Sequence, residues 1–197
     1  MCKSLSKSAM TLVILSLFTV GLGVASAQIQ IVPDTFRINY FSNANVSGAP
    51  DATVRIDNPG VTYGNLCAMI YVFDNDQQLT ECCGCLESHN GLRTLSVNKD
   101  LTSNPLTGVK SNNGVIKVVS SAPNGSPCDP TGLSVTPNLR VWATHIQNKV
   151  GTAYPITETE SSDSVLGETE AINLIEQCYF VEVLGSGQGI CSCGTGD

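Results

Sequence analysis

The sequence predicts a mainly β chain: one Ig-like or Greek-key β-sandwich, stapled by disulfides, with one amphipathic helix near its C-terminus. Three observations predict it. Apolar and polar residues alternate through most of the first two thirds of the chain. Pro, Gly, Asn and Asp cluster between the alternating runs. An N-terminal export pattern precedes an even number of cysteines.

The export pattern comes first in the chain. Lys3 and Lys7 precede an apolar run from Ala9 to Val24, and Ala25-Ser26-Ala27 supplies small residues before a cut between Ala27 and Gln28. The apolar run is short for a bilayer span and is interrupted by Gly21 and Gly23. Residues 1–27 are therefore expected to be a cleaved signal peptide, and residues 28–197 a single disulfide-rich β domain. Cleavage removes two lysines and no acid, which takes the net charge from −7 to −9. A chain so acidic is not expected to bind nucleic acid, which needs clustered Lys and Arg. No membrane insertion is expected after cleavage, and the expected location is secreted, extracellular or periplasmic.

The strands follow in order. Phe36, Ile38 and Tyr40 alternate with Arg37 and Asn39, and Val54 and Ile56 alternate with Arg55 and Asp57. Period two with one apolar face marks a half-buried strand. Asn58-Pro59-Gly60 ends the second run. LCAMIYVF, Leu66 to Phe73, is apolar on both faces and reads as a central, doubly covered strand. Asn90-Gly91 predicts a hairpin across residues 79–97, because that dipeptide favours a type I′ turn. Val115 to Ser120 and Leu139 to Ile146 read as further strands, separated by a Pro- and Gly-rich loop carrying Cys128. ITETESSDS, Ile156 to Ser164, has no period and reads as an exposed connection. Ala171, Leu174, Ile175 and Cys178 fall at helical spacing and predict a helix over about 166–179. CYFVEVL, from Cys178, predicts a short strand after it, and GSGQG, Gly185 to Gly189, a turn.

Eight cysteines remain after cleavage: Cys67, Cys82, Cys83, Cys85, Cys128, Cys178, Cys191 and Cys193. An even count in an exported chain implies disulfides, though eight cysteines allow 105 pairings. On a strand, Cys82 and Cys83 point to opposite faces while Cys83 and Cys85 share one. Two short cysteine ribbons, at residues 82–85 and 191–193, are expected to be stitched together. The competing reading is a metal site from Cys82, Cys83, Cys85, His89, Cys191 and Cys193. Zinc sites favour C-x₂₋₄-C spacing, so a soft ion such as Cu(I) suits C-x-C better. The disulfide reading expects no cofactor.

Other chemistry is thin. Asp74, Asp76 and Glu81 offer oxygens to calcium, but a helix–loop–helix calcium loop fails at its sixth and twelfth positions, Leu79 and Cys85. His89 and His145 lie in no nucleophile motif. Asn45-Val46-Ser47 and Asn124-Gly125-Ser126 match glycan acceptors.

The block LCAMIYVFDNDQQLTECCGCLESHNGLRTLSVNKDLTSNPLTG, with the later GSGQGICSCG, resembles small exported cysteine-rich proteins of acidobacterial (soil bacterial) type. The cysteine order and the NGLRTLSV and DLTSNPLTG strings carry the resemblance, which spans Leu66 to Cys193. It implies a bacterial exported protein and supplies no catalytic residue. The expected function is a secreted, non-enzymatic structural or adhesive module at the cell surface or outside the cell. Its partner would be an extracellular protein, a glycan or another copy. Lending Gln28–Phe41 to a neighbour would make it a filament subunit. The alternatives are a periplasmic or secreted metal-binding protein and a secreted hydrolase or inhibitor.

Overall fold

Two antiparallel sheets lie face to face in a computed structural model that describes residues 34–61, 64–103, 109–124, 128–183 and 191–194. The signal segment, its Ala27/Gln28 cut and the GSGQG turn lie outside these residues. The strands are β1 Phe36–Phe41, β2 Thr53–Asp57, β3 Leu66–Asp74, β4 Leu79–Glu87, β5 Leu92–Ser96, β6 Gly114–Ser121, β7 Arg140–Ile146, β8 Ile156–Glu160 and β9 Ser162–Asp163. Among the described residues one α-helix, α1, spans Glu168–Val183, and a single π-helical turn spans Val97–Leu101. The first sheet runs β4-β3-β6-β1-β9 and the second β5-β2-β7-β8. The expected sandwich is what forms.

The alternation explains the layers. Leu66, Ala68, Ile70 and Val72 of β3 meet Val54 and Ile56 of β2, Leu95 of β5 and Val141 and Ala143 of β7 in the inter-sheet core. Cys67, Met69 and Tyr71 point the other way, into a second core with Phe36, Val119 and Leu174. The helix and the loop around Cys128 cover that side. Each fully buried side chain of this kind, such as Met69 or Ile70, contributes about 1.5–3 kcal/mol relative to exposure. β3 is thus central and covered on both faces, as its unbroken apolar run predicts.

Three expectations change. Asn90-Gly91 does not close a hairpin: β4 pairs with β3, whereas β5 pairs with β2 in the opposite sheet. Only Asn90 takes a positive φ, of 61°, where a type I′ turn needs two in succession. Residues 88–91 therefore form an arch between sheets, closed by the Gly91 N–H donating to the Ser88 carbonyl at 2.8 Å. The hairpin partner of β4 is β3, through FDNDQQLTE. ITETE and Ser162-Asp163 are strands, each at the edge of its sheet. Every β8 residue is exposed, which leaves no apolar period to detect. Finally, α1 runs on through Val183, where CYFVEVL predicts a strand. Packing of Leu174 and Cys178 against the first sheet holds the segment helical and overrides its β propensity.

Candidate functional site

β4 carries most of the chain's distinctive chemistry, and its pleat sorts that chemistry between two faces. Cys82 faces the helix side and bonds Cys178 of α1. Cys83 and Cys85 face the inter-sheet side and bond Cys191 and Cys193 of the C-terminal tail. Cys67, on the helix face of β3, bonds Cys128 in the covering loop. All eight cysteines from Cys67 to Cys193 are thereby paired. The two ribbons are stitched as strand geometry predicts, and the remaining three cysteines join Cys82 in the other two bridges.

The tail lies along the open side of the sandwich, between β4 and β5. The Cys191 N–H donates to the Cys82 carbonyl at 3.1 Å, and the Ser192 N–H to the Asp100 carbonyl at 2.9 Å. Arg93 of β5 completes the closure. Its Nε binds Glu87 Oε1 of β4 at 2.7 Å, one terminal nitrogen binds the Leu86 carbonyl at 2.8 Å, and the other binds the Cys193 carbonyl at 2.5 Å. Arg93 is 7% exposed and Glu87 is fully buried, so the pair joins both sheets and the tail in a nearly dry setting. No sequence pattern flagged Arg93. Its partners lie across a sheet boundary that period alone does not reveal.

The metal candidates separate. The Sγ atoms of Cys83, Cys85 and Cys193 lie within 4.8 Å of one another. Cys82 faces away from them. His89 sits in the inter-sheet arch against Gly60, and a Cβ placed on Gly60 would come within 2.7 Å of its ring. A disulfide sulfur is no thiolate, so in this oxidised form the cluster is a staple.

Two of the three residues offered to calcium are built into the fold. Asp74 Oδ1 accepts from the Asp76 and Gln78 backbone N–H groups, each at 2.9 Å, which shapes the β3–β4 turn. Glu81 is fully buried. The amide of Asn45 donates to Thr102 Oγ1 at 2.9 Å and to the Ser111 carbonyl at 3.0 Å, which engages the nitrogen a glycan would need.

His145 is 1% exposed on β7. Its ring stacks on Tyr40 of β1 with centroids 4.1 Å apart, and Nε2 lies 2.7 Å from Thr159 Oγ1 of β8. Burial holds its imidazole below the ordinary range, with the Tyr40 backbone opposing that shift. The arrangement is a packing contact between β1, β7 and β8. Further back along β1, Arg37, 4% exposed, binds Asp34, Asp163 and the Ser161 carbonyl. An open cleft of about 590 Å³ sits over this cluster, also lined by Arg140 and Glu160. Each of its three carboxylates is already ion-paired with one of its two arginines.

A smaller groove of about 420 Å³ runs between the β3–β4 turn and α1, lined by residues such as Leu79, Glu176, Phe180 and Val181. Beside it the outer face of α1 exposes Tyr179, Phe180 and Val183, each by about 60%. Among the described residues no helix is long and apolar enough to cross a membrane.

No family model matches the chain, and no curated protein matches it. Among solved structures, the crystal structure of Thermotoga maritima 1070 aligns with a TM-score of 0.43 and 11% identity, over 68% of this chain and 97% of that one. What the chain's own geometry defines is a class: a disulfide-laced antiparallel β-sandwich with a helix packed on one sheet.

Proposed function

We propose that the chain is an exported, non-enzymatic structural or adhesive module, working at the cell surface or outside the cell through its outer surface. One observation carries this reading. Four disulfides join residues 61 to 108 positions apart and pin the helix, the long loop and the tail to the paired strands β3 and β4. Lacing of that density persists in oxidising compartments and suits a domain that must keep its shape without cellular upkeep. Two further points agree. Asp74, Arg37 and His145, which could have served chemistry, are engaged in a turn, an ion cluster and a packing contact. The exposed aromatic and aliphatic side chains on α1 give a partner something to grip.

Expression of the full chain in a bacterial host tests the reading. The expected product lies outside the cytoplasm, begins at Gln28, contains no titratable thiol, and has a mass about eight hydrogens below the reduced value. Retention of residues 1–27 in the cytoplasm with free thiols would overturn it. The adhesive part is tested by Tyr179→Ser combined with Phe180→Ser, which should leave stability nearly unchanged and weaken attachment of the protein to cells or matrix. A filament subunit is the specific form of this proposal. It requires β1 to leave its place between β6 and β9 and enter a neighbour, so a mature protein that sediments as a monomer removes that form.

A further inference from the structure

We propose that the two staples Cys83–Cys191 and Cys85–Cys193 form a reducible four-sulfur site, which binds one Cu(I) ion once a dithiol reductant opens it. The site is already compact. Cys83 and Cys85 sit two residues apart on one face of β4, and their Sγ atoms lie within 4.8 Å of each other and of Cys193 Sγ. Cys191 Sγ is bonded to Cys83. A metal–sulfur bond of about 2.3 Å places thiolates around one ion roughly 4 Å apart, so small side-chain movements suffice.

The scaffold outlasts the staples. After reduction the tail is still held by the Cys191 and Ser192 N–H groups and by Arg93 on the Cys193 carbonyl. The helix and the covering loop keep their own bridges, Cys82–Cys178 and Cys67–Cys128. Access favours the staples as well. Cys193 is partly exposed, whereas the other seven bridged cysteines are at most 4% exposed. A thiolate reductant therefore reaches Cys193 first, and the neighbouring bridge lies within a side chain's reach.

The chemistry balances simply. Each dithiol delivers two electrons and two protons to one bridge and becomes a disulfide itself. Two equivalents give four thiols, and Cu(I) displaces protons from those it binds. The spacing selects the ion: C-x-C from strand and tail gives a soft, low-coordinate sulfur site instead of a zinc knuckle.

The test uses the oxidised mature protein, graded dithiothreitol, and Cu(I) offered anaerobically as its complex with a chromophoric chelator. Differential alkylation with peptide mapping should label Cys193, Cys85, Cys83 and Cys191 before the other four. At that stage one Cu(I) per chain should leave the chelator, with an all-sulfur shell by X-ray absorption, while the oxidised protein takes none. Cys83→Ser with Cys191→Ser should weaken uptake by about tenfold or more. Cys67→Ser with Cys128→Ser should not change it. The proposal is overturned if all four bridges open together with loss of near-ultraviolet dichroism, if the opened staples take no Cu(I), or if they hold Zn²⁺ in its place. The wild-type labelling order and stoichiometry decide the matter even if a serine pair does not fold.

Discussion

At the scale of single residues, burial decides which ion pairs matter. Arg93 and Glu87 are almost fully buried, so Arg93→Ala removes a buried cation from beside a buried carboxylate and should cost about 3–5 kcal/mol in urea unfolding. Arg55–Glu158 joins side chains about 40% exposed on the outer face of the second sheet. Arg55→Ala should cost less than about 1 kcal/mol, because water screens that pair and ordering the side chains offsets its gain. Equal losses would show that the cross-sheet clamp has been misread. His145 gives a pH test. Its folded-state pKa lies below the ordinary 6.5, so the unfolded chain takes up a proton that the folded chain resists. Stability should fall as pH drops from about 6.5 toward the lowered folded value, and be unaffected by this group above that window. His145→Gln should flatten that part of the stability–pH curve. Gly84 tests close approach: an added Cβ would stand 2.1 Å from the Cys128 carbonyl oxygen, so Gly84→Ala should cost about 1–3 kcal/mol and lower the melting temperature. On β4 the sequence shows the facing of the cysteines, because strand parity is local. Arg93, Glu87 and Gly84 owe their roles to chain segments that the sequence does not place beside them.

At the scale of elements, the sequence located the strands with an apolar period and missed those without one. β1, β2, β3, β6 and β7 stand where alternation or unbroken apolar runs put them. β8 lies at a sheet edge with both faces wet, so only its Thr157 and Thr159, β-branched residues spaced by two, hinted at it. The Asn90-Gly91 error has a similar origin. A turn dipeptide reports local backbone preference, whereas the choice between a hairpin and an inter-sheet arch depends on which strand already occupies the neighbouring place. The length of α1 was underestimated because CYFVEVL alone prefers β structure, while Cys178 anchors it to β4. Replacing Cys82 and Cys178 together by alanine should therefore cost about 2–4 kcal/mol. Hydrogen exchange should show α1 amides opening first, with the amides of β3 still protected. Simultaneous loss of protection in both elements would mean that helix and sandwich unfold as one unit.

At the scale of the whole molecule, both open sides of the sandwich are closed, by different means. On one side the tail and Arg93 cover the gap between β4 and β5. On the other the chain itself turns the corner from β8 into β9 at Ser161, which is 3% exposed and whose N–H donates to the Val141 carbonyl at 2.7 Å. Deleting residues 191–197 should lower the urea midpoint and promote self-association under reducing conditions, measured by light scattering, because it uncovers strand edges. A truncated chain that stays monomeric and equally stable would show the tail to be ornamental. The closure also has a consequence in time. The four bridges run 67 to 128, 82 to 178, 83 to 191 and 85 to 193, so each joins an early cysteine to a late one. A chain that meets oxidant N-terminus first presents four neighbouring thiols long before three of their rightful mates arrive. Any bond those four make among themselves is wrong and has to be undone, so correct maturation waits on the last residues to emerge and on a catalyst able to reshuffle what formed too soon.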